Sequence, residues 1–96
     1  MNGNFEPSER RMPFSLEAEQ SLLGSILIDP ATMDEIAGII TADDFYLAEH
    51  REIYKAMQAM YMKSKNIDVV TLIDELVRQA TYDEAGGREY LKLVAE

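Results

Sequence analysis

The chain has 96 residues, enough for one small domain with its own core, and carries 18 acidic against 9 basic side chains for a net charge of −9. That charge disfavours phosphate-backbone binding as the main task and suits a basic protein partner. The absence of cysteine excludes disulfides, thiolate metal sites and cysteine nucleophiles; no run reaches the ~20 apolar residues of a membrane span, and no secretory signal opens the chain, so a cytoplasmic protein is expected.

Residues 1–12 are polar, contain Pro7 and show no periodicity, which predicts a flexible N-terminal arm. The domain proper is expected over 13–96. The stretch PFSLEAEQSLLGSIL opens it. Ser15 is placed to cap a helix over about Leu16–Ile28, and Glu17 and Glu19 fall in the first turn, where the helix dipole favours negative charge. Leu16, Leu22, Leu23, Ile26 and Leu27 recur at helical spacing and are expected in the core. Gly24 lies inside this helix, either where another backbone crosses closely or as an uncompensated glycine on an exposed face.

Asp29-Pro30 then predicts a capped second helix over about Pro30–Ile40, its inner face formed by Met33, Ile36, Ala37 and Ile40. Thr41 and Asp44 have capping-box spacing, and Phe45 and Tyr46 are expected to plug that turn into the core. The clearest helix runs from about Ala48 to Lys63, with His50, Ile53, Tyr54, Met57, Met60 and Tyr61 on one stripe. Lys63 and Lys65 form a solvated, dipole-compatible end. Asp68 caps a fourth helix over about Val69–Ala80, buried through Val69, Leu72, Ile73, Leu76, Val77 and Ala80. The β-branched run from Ile67 to Thr71 would also suit a strand, but the cap and the following 3.6-residue period outweigh that. A loop at 81–87 closes on Gly86-Gly87, and a fifth helix turns Tyr90, Leu91 and Val94 inward. It meets no stop signal by Glu96, so a longer parent chain is expected. The fold class is all-α, a compact orthogonal bundle of about five to six helices.

Catalytic chemistry finds no constellation. His50 is the only histidine, and on an amphipathic stripe it reads as a packed or capping residue. The pairs Asp43-Asp44, Glu49/Glu52 and Asp74-Glu75 read as solvated charges at helix starts or on polar faces. Gly86-Gly87 opens a helix but lacks the G-x-x-x-x-G-K-[ST] pattern, so it reads as a turn. Ser15, Ser21 and Ser25 have no matching base, and Met57 and Met60 read as core. The catalytic and metal assignments are therefore none.

The order PFSLEAEQSLLGSILIDP, ADDFY, HREIYKAM, IDVVTLIDEL and AGGREYL, from Pro13 to Glu96, resembles the N-terminal domain of bacterial replicative DNA helicases of the DnaB type. EAEQSLLGSIL with Asp29-Pro30 is the most specific block. The resemblance implies a helical head, with a helical hairpin and a RecA-like motor after residue 96. It implies a ring-shaped hexamer, in many members a trimer of dimers, that unwinds duplex DNA at the replication fork with ATP and Mg. The fragment would need no cofactor of its own and would be non-catalytic. The collar formed by such domains would dock the C-terminal domain of primase and involve a helicase loader, without strong direct DNA binding.

Glu17, Tyr90 and the weaker candidate Arg88 are the expected primase-binding residues. Glu17 is a carboxylate without an evident local partner, and Tyr90 is a residue type enriched in interface hot spots. The ordinary alternatives are a first-turn dipole charge and core filler. An unrelated acidic helical adaptor and a DNA-contacting module with a basic stripe are the rival classes.

Overall fold

A computed structural model describes residues 15–96; the expected arm at 1–12 lies outside them. Helix α1 spans Leu16–Ile28, α2 Thr32–Ile36, α3 Ala48–Met62, α4 Val69–Arg78 and α5 Gly87–Ala95, and a 3₁₀ turn occupies Ala42–Asp44. No strand occurs among the described residues.

Local side-chain chemistry sets the starts of α1, the 3₁₀ turn and α4. The Ser15 hydroxyl accepts from the Ala18 N–H at 3.1 Å. Thr41 N–H donates to the Asp44 carboxylate at 2.8 Å, which forms the expected box around the 3₁₀ turn. At α4 the Asp68 carboxylate accepts from Thr71 N–H and the Thr71 hydroxyl accepts from Asp68 N–H, both at 2.9 Å. The β-branched run before it is thereby committed to a helix.

Leu23, Ile26, Met33, Ile53, Met57 and Leu76 are fully buried and tie α1 to α4 into one core. Each such side chain contributes about 1.5–3 kcal/mol by leaving water. Helix α1 crosses α5 at Gly24. A Cβ built there would lie 2.8 Å from the Val94 carbonyl oxygen, so the close-crossing reading of this glycine is the correct one.

Several expectations are corrected. The second helix is only five residues long, and a tightened turn follows it in which the Ile39 and Ile40 N–H groups both bond to the Ile36 carbonyl; Ile40 lies past its end. Its carbonyl accepts from the Tyr54 hydroxyl at 2.9 Å and the Gln58 amide at 3.3 Å, and Gly38 weakens the helix before it. Asp29 accepts from the Ala31 N–H in a turn rather than capping a long helix. Phe45 enters the core, but Tyr46 is 53 % exposed; its N–H is held by Glu19 and its carbonyl by Arg51.

Leu16 lies in the first turn of α1, ahead of its covered stretch, and is exposed. Val77 is exposed too, because the buried arc of α4 centres on Leu72 and Leu76 and takes in Glu75 instead. Ala80 lies beyond the helix end and is exposed.

Candidate functional site

The first turns of α1, α3 and α5 meet through a chain of three polar side chains. The start of α3 carries no cap of its own: Leu47 occupies the N-cap position and offers no acceptor. Glu19 of α1 supplies one from across the fold. Its carboxylate accepts from the Tyr46 N–H at 2.7 Å and the Leu47 N–H at 3.4 Å. The same carboxylate lies 2.7 Å from Nδ1 of His50, which is fully buried.

A carboxylate can only accept here, so Nδ1 carries the proton. His50 Nε2 lies 2.5 Å from the Tyr90 hydroxyl, and the two rings stack with centroids 5.7 Å apart. Phe45 closes the site edge-on to the imidazole at 6.3 Å.

Burial alone would push the Glu19 carboxyl up. The bonds from His50, Tyr46 and Leu47 outweigh it, and the charge of His50 adds to them, so the group is held below its ordinary range. Tyr90 moves the other way, raised first by burial and then by the negative charges of Glu49 and Glu19. His50 thus has the packed role expected of it. Its partners lie 31 and 40 residues away in sequence, and no local spacing announces them.

The expected partner-binding residues separate into two kinds. Glu17 and Arg88 are exposed and form no hydrogen bond or ion pair with any described residue. Tyr90 is half-buried and bound to His50. No hydrogen bond or ion pair joins any two of the three. Glu17 and Arg88 nevertheless each lie two residues from a member of the Glu19–His50–Tyr90 chain, which places all three candidates on the helix starts it connects.

A second polar cluster corrects the reading of Asp74-Glu75 as a solvated pair. Glu75 is 2 % exposed. It accepts from Arg78 at 2.6 Å and Gln79 at 2.8 Å, with the ammonium groups of Lys63 and Lys65 at 3.9 and 3.8 Å. Burial would raise its carboxyl, but the Gln79 bond and the charges of Lys63, Arg78 and Lys65 hold it below its ordinary range. Asp74 remains outside, paired with Arg78 at 3.1 Å.

No group of three or more metal-ligating side chains occurs among the described residues, and no described helix is long and apolar enough to cross a membrane. Gly86 and Gly87 both have positive φ and act as the turn before α5, as expected.

Comparison with known proteins places this architecture. The family model described as the DnaB-like helicase N terminal domain matches residues 11–96. The replicative DNA helicase DnaB of Pasteurella multocida is 47% identical over 79 residues, covering 82% of this chain and 17% of that protein. The DnaB of Geobacillus stearothermophilus is 38% identical over 89 residues, covering 93% of this chain and 20% of that protein. The chain thus spans about a fifth or less of the length of these relatives.

The crystal structure of the N-terminal domain of DnaB helicase from Mycobacterium tuberculosis superposes with a TM-score of 0.81 at 31% identity, covering 86% of this chain and 60% of that one. An unrelated adaptor that matches only in its core pattern is displaced by these findings. The helix order, the sequence and the superposition agree that the chain belongs to the DnaB-like helicase N-terminal domain family.

Proposed function

We propose that this domain is the primase-docking and ring-assembly head of a replicative DNA helicase that unwinds duplex DNA at the replication fork with ATP. The observation that carries the proposal is the family match over residues 11–96. In this role the domain does no chemistry; ATP and Mg serve a motor elsewhere in the parent protein. It packs beside copies of itself in a hexameric collar, receives the C-terminal domain of primase and is open to a helicase loader. Docking raises the local concentration of primase near unwound template.

The exposed Glu17 and Arg88 and the half-buried Tyr90 support a docking surface on the starts of α1 and α5. The acidic balance of the chain supports a basic partner. A DNA-contacting role has less support. The Arg51 guanidinium is committed to the Phe45 and Tyr46 carbonyls, while Arg78, Lys63 and Lys65 converge on Glu75.

Calorimetry of the 96-residue chain against the primase C-terminal domain of the same organism tests the proposal. Glu17→Lys is expected to weaken binding by roughly fivefold or more, as loss of an interface anchor does, and to leave the melting curve unchanged. Absence of binding by the wild-type chain overturns the docking role. Unaltered affinity in Glu17→Lys removes that residue from the surface.

A further inference from the structure

Among the proposed docking residues, Tyr90 differs in being held by the fold, and it is held from several directions. Its hydroxyl is bonded to Nε2 of His50 at 2.5 Å. Its ring stacks on the imidazole, with the planes 28° apart and the centroids 5.7 Å apart. The root of the ring lies against the turn before α5. A Cβ built at Gly86 would fall 2.6 Å from the Tyr90 Cβ and 2.9 Å from its Cγ. The Tyr90 Cβ is fixed by the helix backbone, so no rotamer of Tyr90 relieves that contact. The space exists because residue 86 has no side chain, and its φ of +103° favours glycine as well.

His50 is fully buried, so a docked partner cannot touch it. It can act on a partner only through Tyr90. The imidazole is itself fixed, by the Glu19 carboxylate 2.7 Å from Nδ1 and by the edge-on Phe45 ring at 6.3 Å. Glu19 is fixed in turn by the N–H groups of Tyr46 and Leu47. A line of bonded groups thus runs from the backbone before α3, through Glu19 and His50, to a half-buried ring at the start of α5. Glu17 and Arg88 have no such support.

This matters for binding because a side chain that turns freely must be immobilised when a partner docks, which weakens affinity by about two- to tenfold. A ring already held in one rotamer escapes that loss. We propose that His50 and Gly86 are positioning residues of the docking surface: they fix the rotamer of Tyr90 in the free chain, so that the ring meets its partner already oriented. His50 does this by bonding and stacking, Gly86 by leaving room for the root of the ring. The role in docking rests on the function proposed above; the fixing of the ring does not.

Two measurements test the inference. Three-bond couplings across the Tyr90 Cα–Cβ bond read its rotamer in the free 96-residue chain. One rotamer is expected in the wild type, and an averaged or altered one in His50→Leu and in Gly86→Ala. His50→Leu keeps an apolar side chain in the buried site and removes both of its hydrogen bonds. Gly86→Ala lies in the turn outside the core and decides the question should His50→Leu fail to fold. Averaging in the wild type, or wild-type couplings in the folded variants, overturns the inference whatever the chain binds.

Calorimetry against the primase C-terminal domain reads the consequence. Tyr90→Phe severs the bond to His50 and keeps the ring. His50→Leu is expected to weaken binding by about two- to tenfold in the wild-type background. In the Tyr90→Phe background it should cost clearly less, because the two residues act as a unit. No loss, or the same loss in both backgrounds, overturns the positioning role: His50 then serves the fold alone. Should the wild-type chain bind no primase, the docking function fails, and the couplings still decide whether His50 and Gly86 fix the ring.

Discussion

Glu75 is buried and Glu19 partly so, and the fold surrounds both carboxylates with donors. Glu19 receives two backbone N–H groups and the His50 ring, whereas Glu75 receives an arginine and an amide. Hydrogen bonds to charged groups are worth about 1.5–3 kcal/mol each, so Glu19→Gln and Glu75→Gln are each expected to destabilise the domain by about that much at pH 7. The linkage has a definite sign. Both carboxyls are held below their ordinary value of 4.5 in the folded state. Their stabilisation is therefore complete above about pH 4.5 and is lost as the pH falls through the folded value. Thermal melts of the wild type should fall steeply on that acid limb. Each glutamine variant should start lower and fall less, converging on the wild type once the pH lies below the folded-state value.

The ends and crossings of the helices carry their own consequences. Helix α3 closes with Ser64 at φ +57° and a bond from Lys65 N–H to the Met60 carbonyl at 2.8 Å. Helix α4 closes the same way, with Ala80 at φ +62° and Thr81 N–H on the Leu76 carbonyl at 2.9 Å. Both are Schellman ends with a side chain where glycine is ordinarily preferred. The left-handed conformation costs such a residue about 1–2 kcal/mol, partly offset by the entropy glycine would lose. Ala80→Gly should therefore raise stability by roughly 0.5–1 kcal/mol in denaturant titration. The crossing of α1 and α5 responds in the opposite direction. A methyl group at Gly24 meets a backbone carbonyl that no rotamer change can move, so Gly24→Ala should lower stability by about 1–3 kcal/mol despite its better helix propensity.

Across the whole molecule, two polar clusters brace opposite ends of the α3 neighbourhood around one apolar core. Glu19, His50 and Tyr90 lie at its start, and Glu75 gathers the lysines that follow its end. This arrangement separates residues that hold the fold from residues available to a partner, even where they are adjacent in sequence. Leu76 is fully buried and Val77 is 57 % exposed. Leu76→Ala should cost about 2–5 kcal/mol in chemical unfolding, whereas Val77→Ala should stay within about 0.5 kcal/mol of the wild type. The same contrast distinguishes Glu17, whose loss should weaken docking alone, from Glu19 two residues on, whose loss should weaken the fold.

The sequence by itself determined what depends on neighbours within a helical turn or two. The caps at Ser15 and Asp68 accept from backbone N–H groups three residues on, and Asp44 reaches back three residues to the Thr41 N–H, so their spacing alone revealed them. The span of α1 and the stripe of α3 followed from apolar periodicity, and the order of the motifs carried the family. Glu17 and Arg88 were legible as exposed charges for the same local reason. Tertiary structure decided what depends on distant groups. Past the shortened second helix, the Ile40 carbonyl is taken by side chains of α3 fourteen and eighteen residues away. The burial of Glu75 and the exposure of Val77 followed from how α4 rotates onto its neighbours, which a symmetric stripe does not specify. The bridge from Glu19 through His50 to Tyr90 joins three helix starts, because an uncapped α3 must find its acceptor somewhere, and the chain path alone places one on α1.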